Sequence, residues 1–343
     1  MSAYKKTLMF VLCGLLFVPV FLSLTGNTCG ADDYTWTGNS SDDWSDLNNW
    51  LPIGMMPSST DKAIIPGGAP NYPRITDYRP VGELLVEENA YLLISSSTGS
   101  LQIFGTAEIN GSLTLSEGSF HISTDGTCTV NGLLKLDAGI FYFGHNASML
   151  NNATIDWSGG EIRPLSVNTF ILNNSGEMNI TTGGIKKLTA CVLTNNGTIN
   201  LSDTVEVSSS TGITGITNKN ILNWIAGGFV IPPLSLPSPP FLLTNNAEIN
   251  ISTANPKSLS YCTFTNEFDG NVNINNAALS VSGNENSRFE NKGHLMGNGT
   301  LNFIPPSPPD LAMPPFRNSG IIKPGGLDAV GKLIIKGKYE QVA

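Results

Sequence analysis

The clearest pattern in the chain is a phrase of alternating apolar and polar residues that returns every 21–27 residues. The stretch LTNNGTINLS at 193–202 comes back as LTNNAEINIS at 243–252. With Gly197 as a marker, the equivalent position of every repeat holds Gly, Ala or Asn. The eleven markers are Ala90, Gly111, Gly132, Ala153, Gly176, Gly197, Asn220, Ala247, Gly270, Gly293 and Gly320. An apolar residue follows every marker by two positions, and another follows nine of them by four positions.

This alternation predicts a short strand with one buried face after each marker, because side chains alternate across a strand. Gly and Asn at the marker, and Asn just before it in six repeats, suit a tight turn with positive φ. Further strand-like segments lie at 118–122, 139–143, 227–231 and 277–281. Each repeat therefore holds two or three short strands and their corners, which together make one rung, a full turn of a parallel β-helix.

The predicted fold class is all-β: a right-handed parallel β-helix (solenoid) of about eleven rungs with an N-terminal aromatic cap. One rung cannot bury its apolar residues alone, whereas stacked rungs share a continuous core. Asn side chains at equivalent turns are expected to form hydrogen-bonded ladders along the axis. A β-sandwich is the alternative, but it predicts turns every 8–12 residues without a rung-length register.

Three segments are predicted: a signal peptide at 1–30, an N-terminal cap segment at 31–80 and the β-helix at 81–343. Lys5 and Lys6 precede a long apolar run, and small residues lead up to Ala31, as in a cleaved signal peptide. An uncleaved anchor is the alternative. We expect a secreted or cell-surface protein with no membrane span after signal cleavage.

Composition and charge limit the classes of binding partner that are expected. Charged residues make up 13% of the chain, about half the usual share of roughly 25%. The net charge is −9, and the 18 basic residues form no stripe along the sequence. Nucleic acid is therefore excluded as an expected partner, because such binding depends on clustered Lys and Arg.

Cysteine and histidine offer little chemistry. Cys191 and Cys262 occupy equivalent positions three rungs apart, about 14 Å, which is beyond the roughly 7 Å between Cα atoms that a disulfide spans. They and Cys128 are predicted to be unpaired, buried thiols. No metal-ligand spacing is found, and no cofactor is predicted. Asp125 and His145 fall on adjacent rungs, where a surface pair is expected rather than a catalytic one.

Carboxylates matter because many polysaccharide-cleaving β-helix proteins gather acids and a basic residue on one outer sheet. Here Glu117 and Asp137 fall on adjacent rungs near one corner, Asp203 lies three rungs beyond Asp137, and Arg163 is the nearest basic residue. The set is thinner than such a site needs, so a solvated edge is expected.

Trp36, Trp44 and Trp50 lie in a segment outside the repeat. Two interpretations are open. The indoles either pack over the open first rung, since a bare strand edge invites other chains, or they form a platform on which sugar rings stack.

Two long rungs carry Pro-rich insertions at 231–241 and 304–316, and both insertions begin 11 residues after their markers. Proline cannot sit inside a central strand, so these segments are predicted to be loops leaving the same edge of the rod. They form either a paired contact ridge or tolerated decoration. The candidate binding residues are Pro232, Pro233, Leu234, Leu236, Pro305, Pro306, Leu311 and Met313.

The segments WTGNSSDDWSDLNNW at 36–50, PSSTDKAIIP at 57–66 and NSGIIKPGGLDAVGKLIIKGKYEQ at 318–341 resemble bacterial secreted and cell-surface β-helix proteins, which are autotransporter- or adhesin-like repeat proteins. The resemblance implies an adhesive or structural role and carries no catalytic residues. Such proteins usually continue beyond the last segment. Either this chain is truncated, or its last rung makes an end-to-end contact with a partner.

The predicted function is a non-catalytic exported surface module, a rigid β-helix with lateral loops that contact surface proteins or extracellular glycans. The alternative is a polysaccharide-binding or polysaccharide-degrading β-helix protein. An enzyme should gather acids and a base on one face, whereas an adhesive rod should show polar Asn, Thr and Ser faces.

Overall fold

The computed structural model describes residues 31–166, 168–208, 214–231, 241–283, 287–305, 315–325 and 330–342. The predicted signal peptide at 1–30 lies outside these ranges. Within them the chain is a parallel β-solenoid of about eleven turns, as the repeat predicts. Its one helical element there is a short 3-10 turn, Leu47–Asn49. Across the described part of the chain, no helix is long and apolar enough to cross a membrane.

Three sheets run along the solenoid axis, and each rung adds one strand to sheet A, then to sheet B, then to sheet C. Sheet A has fifteen strands, in spatial order β2 (Trp50–Leu51), β1 (Asp33–Trp36), β3 (Lys62–Ile65), β6 (Glu83–Val86), β9 (Thr106–Ile109), β12 (Thr127–Val130), β15 (Ser148–Asn151), β18 (Phe170–Asn174), β21 (Cys191–Asn195), β24 (Gly215–Asn218), β27 (Phe241–Asn245), β30 (Cys262–Asn266), β33 (Arg288–Asn291), β36 (Phe316–Asn318) and β39 (Tyr339–Gln341).

Sheets B and C have twelve strands each. Sheet B contains β4 (Arg74–Ile75), β7 (Tyr91–Ile94), β10 (Ser112–Leu115), β13 (Leu133–Leu136), β16 (Thr154–Trp157), β19 (Glu177–Ile180), β22 (Thr198–Leu201), β25 (Ile221–Trp224), β28 (Glu248–Ser252), β31 (Asn271–Asn275), β34 (His294–Gly297) and β37 (Ile321–Pro324). Sheet C contains β5 (Tyr78–Val81), β8 (Ser100–Ile103), β11 (Ser119–Ile122), β14 (Ile140–Phe143), β17 (Gly160–Pro164), β20 (Lys186–Thr189), β23 (Val205–Ser208), β26 (Gly227–Val230), β29 (Lys257–Ser260), β32 (Ala278–Ser282), β35 (Thr300–Phe303) and β38 (Ile334–Lys336).

The predicted register is confirmed residue by residue in sheet B. The apolar residue two positions after each marker pairs with its counterpart in the next rung, so these residues form one line inside the solenoid. The line is Leu92, Leu113, Leu134, Ile155, Met178, Ile199, Leu222, Ile249, Val272, Leu295 and Ile322. Stacked strands lie about 4.8 Å apart, so every member contacts the members above and below it.

The solenoid begins earlier than the sequence pattern indicates. Strands β3, β4 and β5 already supply one strand each to sheets A, B and C, although they lie in the segment predicted as a separate cap. The pattern misses this rung because β4 has two residues, too few to show alternation, and because Pro66, Pro70 and Pro73 precede it. Before this rung, β1 pairs in parallel with β3 and antiparallel with β2.

A buried asparagine ladder runs along the end of sheet A. The inward position there is Val130 in β12 and becomes Asn in β15 and in each later strand through β36. The ladder consists of Asn151, Asn174, Asn195, Asn218, Asn245, Asn266, Asn291 and Asn318. Each Nδ2 donates to Oδ1 of the next Asn over 2.6–2.8 Å. Buried polar groups need such partners, and the ladder supplies them through the core.

The ladder predicted for the Asn just before each marker is found in part. Asn131 donates to Asn110 over 2.9 Å, and Asn152 donates to Asn131 over 2.8 Å, both at exposed positions. The buried ladder uses mostly the Asn one position earlier. In the NN pairs of the repeat, the first Asn therefore faces the core and the second faces solvent.

Candidate functional site

The outer face of sheet C carries a group of aromatic, charged and hydroxyl side chains on four neighbouring strands, β8, β11, β14 and β17. Each strand presents two outward residues, and the register places them in two columns along the axis. One column is Gln102, His121, Tyr142 and Arg163, and the other is Ser100, Ser119, Ile140 and Glu161. We call these eight residues the sheet C stripe.

Tyr142 is clamped between its neighbours in the column. The ring centroids of His121 and Tyr142 lie 4.5 Å apart. On the next strand, the guanidinium carbon of Arg163 lies 4.8 Å from the Tyr142 ring centroid, and Arg163 Nη2 donates to the Tyr142 hydroxyl over 2.7 Å. The two neighbours come from opposite sides along the axis, so both faces of the phenol ring are covered. The edges of the rings therefore point toward solvent.

Hydrogen bonds fix the stripe side chains on β8 and β11. His121 Nε2 lies 2.8 Å from Ser119 Oγ, and Ser119 Oγ lies 3.0 Å from Ser100 Oγ. Gln102 accepts from the hydroxyl of Tyr78 over 2.6 Å. Partial burial lowers the pKa of His121 below its ordinary value, because desolvation disfavours the imidazolium form. Burial therefore favours the neutral imidazole over the charged form.

Charged side chains at the β17 end of the stripe, and on the strands beyond it, form loose pairs of opposite sign. Arg163 lies 3.8 Å from Glu161, and on the following strands Lys187 lies 3.8 Å from Glu206. Glu161 also accepts from the hydroxyl of Thr189 over 3.2 Å. The stripe thus combines a guanidinium, a carboxylate, hydroxyls and an amide in fixed positions. This set can donate and accept hydrogen bonds to a bound molecule.

The other two outer faces differ in chemistry. Sheet A presents Thr194, Thr217, Thr244 and Thr265 in one register line. Sheet B presents a second asparagine ladder, Asn179, Asn200, Asn223, Asn250 and Asn273, with links of 2.8–3.2 Å. The polar Asn and Thr faces expected of a rod are thus found on two sheets. The acids and base expected of an enzyme are represented on the third sheet by one pair, Glu161 and Arg163. Similar pairs lie on the other two sheets, Lys135 with Asp137 and Arg317 with Glu340.

The three tryptophans singled out as candidate binding residues are buried. Trp36, Trp44 and Trp50 are 0–1% exposed. The ring of Trp50 lies edge-on to the other two, with centroids 5.1 Å from Trp36 and 4.7 Å from Trp44. Trp36 Nε1 donates to the carbonyl of Asn71, and Trp50 Nε1 to the carbonyl of Trp44. In this arrangement no indole face is open for a sugar ring to stack on.

Most of the candidate binding residues in the Pro-rich insertions lie outside the described residues. Pro232, Pro233, Leu234, Leu236, Pro306, Leu311 and Met313 lie outside the described residues, whereas Pro305 is described and exposed. The strands on either side show where each insertion leaves and rejoins the solenoid. Both insertions leave from sheet C, after β26 and β35, and return to sheet A, at β27 and β36. They therefore depart from one edge three rungs apart, as predicted, while their contacts stay a prediction.

The predicted acidic residues have structural partners of their own. Asp137 lies 2.8 Å from Lys135 Nζ and accepts from Ser158 over 2.7 Å. Asp203 lies 2.8 Å from Nζ of Lys186, whose side chain is fully buried. Burial alone would raise the pKa of both carboxyls, but these hydrogen bonds outweigh it and lower their pKa values. Both acids are therefore held in the charged form by their neighbours.

Asp125 and His145 do meet on adjacent rungs, but through the backbone. The amide of Asp125 donates to the carbonyl of His145 over 2.8 Å, whereas its carboxylate accepts from Asn146 Nδ2 over 3.0 Å. The surface pairing is thus between Asp125 and Asn146.

The cysteines are where the register places them. Cys191 and Cys262 lie on β21 and β30, three steps apart in sheet A, and both are buried and free, as is Cys128. Burial raises the pKa of all three thiols, to about 12 for Cys128. Within the described ranges, no group of three or more His, Cys, Asp or Glu residues is arranged to hold a metal ion.

Sequence reasoning missed two features, the column on sheet C and the buried Lys257. His121, Tyr142 and Arg163 each lie ten residues after their markers Gly111, Gly132 and Ala153, so tabulating that offset would have revealed the column. Lysine 257 is 2% exposed, and its Nζ donates to three uncharged oxygens of Thr253 and Asn255 over 2.8–3.2 Å. No periodic signal indicates an inward-pointing lysine.

Comparison of the chain with protein-family models, with curated proteins and with solved structures gives no match. The geometry above is therefore the basis for the functional argument.

Proposed function

We propose that this chain is an exported, non-catalytic adhesive module: a rigid β-solenoid that contacts extracellular partners through the sheet C stripe. The observation that carries the proposal is Tyr142, held between His121 and Arg163 on three successive strands. Aromatic and Arg side chains are the types enriched where proteins bind partners, and these three are half-buried on the outer face. Here they occur together, on one face, with their conformations already fixed.

The interior supports a spacer role. The unbroken register of sheet B and the buried asparagine ladder tie each rung to the next along the axis. Between Asn151 and Asn318 the hydrogen-bonded amides resist bending and sliding of rungs, because each displacement would leave buried polar groups unpaired. A rod of this kind holds a contact face at a fixed distance from the point where it is attached.

Export and bacterial origin rest on the sequence. The apolar run after Lys5 and Lys6 supports a signal peptide, and the phrases at 36–50 and 318–341 support kinship with bacterial surface solenoids. We also place the aromatic cap here: β2 pairs antiparallel with β1 beside the cluster of Trp36, Trp44 and Trp50. In this proposal the cluster shields the first rung.

A polysaccharide is the candidate partner that a specific observation favours. Glu161 and Arg163 stand side by side among Ser, Gln and Tyr groups, and alternating donors and acceptors of this kind match sugar hydroxyls. Surface proteins are the other partner class.

Adhesion of protein-coated beads tests the proposal. Protein produced from the full sequence is coupled to beads and offered to surfaces bearing extracellular proteins or polysaccharides, with Tyr142→Ala, Arg163→Gln and the control Lys135→Gln alongside. The control removes a cation of sheet B that also pairs with a nearby carboxylate, Asp137. We expect adhesion that the two stripe substitutions abolish and the control preserves. Equal adhesion of all variants would reject the stripe as the contact face. Release of new sugar ends from any polysaccharide would reject the non-catalytic assignment.

A further inference from the structure

The spacing and charge of the sheet C stripe define the ligand more narrowly. We infer that the stripe binds a neutral, unbranched polysaccharide whose chain runs parallel to the solenoid axis. This inference rests on the proposed adhesive function and names the ligand class for the same face.

Polar groups of the stripe repeat along the solenoid axis. Gln102, His121, Tyr142 and Arg163 stand in one register column, so their polar atoms repeat at the rung spacing of about 4.8 Å. Successive rings of an extended β-1,4-linked pyranose chain advance by nearly the same interval, each turned over relative to the last. A sugar chain lying along the column would therefore meet one set of protein groups per sugar. A chain lying across the sheet would meet only two columns.

Charges on this face of sheet C are balanced. Arg163 and Glu161 oppose each other, as do Lys187 and Glu206 on the following strands, each pair at 3.8 Å. A polyanionic chain would gain from Arg163 what it loses beside Glu161, so the face has no net attraction for it. Neighbouring sugar hydroxyls can use both groups at once, because the guanidinium only donates and the carboxylate only accepts. A neutral polyol fits this pair better than an acidic sugar.

The aromatic rings of this face differ in how much of their surface is open. Both faces of Tyr142 are covered by His121 and Arg163, so sugars along the column meet ring edges and hydrogen-bonding groups. A free ring surface is available at the end of the stripe. Tyr78 is 54% exposed, and its hydroxyl is tied to Gln102 over 2.6 Å. The structure thus provides one stacking position, next to the first strand of the stripe, where a terminal sugar packs.

Preorganisation sets the expected strength of binding. The polar side chains of the stripe already have hydrogen-bond partners on the protein, so little rotamer freedom is lost when a ligand binds. Each sugar contact replaces contacts with water and contributes modestly. Affinity should therefore accumulate with chain length. The four strands of the stripe and Tyr78 together span about five sugars at the rung spacing.

Titration calorimetry with defined oligosaccharides is the test. The probes are neutral β-1,4-linked oligomers of glucose, xylose and mannose, two to eight units long, with oligogalacturonate of matched length as the acidic comparison. We expect at least one neutral series to bind, with affinity rising up to about five units, the length set by the rung spacing, and level beyond that. Arg163→Gln and Tyr78→Ala should weaken the longest oligomer about tenfold, as loss of one good contact does, whereas Lys135→Gln should not. Near-ultraviolet circular dichroism verifies that each variant keeps its packing.

The outcomes separate this inference from the proposed function. Tighter binding of oligogalacturonate than of every neutral series would overturn the charge argument. Affinity that does not depend on chain length would overturn the axial orientation. If no oligosaccharide binds while bead adhesion stays sensitive to Tyr142→Ala, the glycan inference fails and the adhesive function stands. If adhesion is insensitive as well, both fail.

Discussion

Asn195 donates from Nδ2 to Oδ1 of Asn218 over 2.7 Å, and both side chains are fully buried. Asn195 also donates to the carbonyl of Ile221 over 2.9 Å and accepts from Asn174 over 2.7 Å. Each amide in the interior ladder thus uses both of its donor hydrogens and its oxygen. A solenoid with so few charged residues obtains buried polar cohesion from a neutral side chain, which avoids the desolvation cost of a buried ion.

Replacing Asn195 by Ala should destabilise the protein strongly. The change leaves the Asn218 oxygen and the Ile221 carbonyl without their amide partner in the core. Each buried group left unsatisfied costs about 1–3 kcal/mol, so the free energy of unfolding should fall by about 3 kcal/mol. Urea unfolding followed by circular dichroism gives this value.

Two companion variants test whether the loss depends on the position of the Asn in the buried ladder. Asn200 belongs to the solvent-facing ladder of sheet B, so Asn200→Ala should cost under about 1 kcal/mol. Asn151 begins the buried ladder beside Val130, so no ladder amide donates to it, whereas Asn195 accepts from Asn174. Asn151→Val removes the bonds to the Asn174 oxygen and the Glu177 carbonyl but leaves no ladder donor unpaired, so it should cost less than Asn195→Ala. Equal losses for the three variants would show that the buried ladder contributes nothing special.

The pair of Lys186 and Asp203 should respond unequally to substitution. The lysine side chain is fully buried, whereas the Asp203 side chain is 33% exposed and also accepts from the amide of Thr204. Asp203→Asn leaves a buried ammonium without its counter-charge and should cost about 3 kcal/mol. Lys186→Met leaves a carboxylate that water can reach and should cost about 1 kcal/mol. Thermal unfolding at pH 7 gives the order, and the reverse order would contradict this account.

The same pair predicts an acid dependence. The pKa of Asp203 is lowered in the fold, mainly through its bond to Lys186, which overcomes the opposing effect of burial. A group with a lowered folded pKa contributes stability above its unfolded pKa of about 3.9, and that stability is lost as pH falls toward the folded pKa. Lys186→Met should therefore reduce the loss of stability between pH 5 and pH 2. An unchanged acid slope would assign that dependence to other carboxyls.

His121 should contribute a second, milder pH dependence. Burial lowers its pKa in the fold, so the unfolded chain takes up a proton first as pH falls. Stability should decline as pH is lowered through the unfolded value of about 6.5 and level off below the folded pKa. His121→Gln should remove this component. An imidazole proton titration by NMR that gives a folded pKa above that of the urea-unfolded chain would contradict the assignment.

The three core thiols should be inert in the native protein. Burial raises the pKa values of Cys128, Cys191 and Cys262, so thiolate is scarce and reagents cannot reach it. Iodoacetamide at pH 8 should leave all three unmodified, whereas addition of guanidinium chloride should expose all three. Mass spectrometry of peptides distinguishes these sites from Cys13 and Cys29. Alkylation of Cys191 under native conditions would contradict its placement in sheet A.

Much of the architecture could be predicted because it depends on repetition. Leu92 and Ile322 were assigned to one line from spacing alone, and the structure places them at the two ends of that line in sheet B. Cys191 and Cys262 were placed three rungs apart by the same register. The first rung escaped prediction because β4 has two residues and shows no alternation. The stripe was not predicted because its column consists of four different residue types, Gln102, His121, Tyr142 and Arg163. Different residues at one offset produce no visible repeat in the sequence.

The sequence by itself determined the fold of this protein, because a parallel solenoid asks each equivalent position for the same kind of side chain, and the period of apolar residues records that demand. Only the tertiary structure decided the side-chain partnerships. The first Asn of each NN pair turns inward and the second outward, because the chain bends at that corner. Lys186 could reach Asp203, 17 positions away, only once two rungs were stacked. Tyr142 gained a neighbour on each face for the same reason, since contacts between rungs join residues that are distant along the chain.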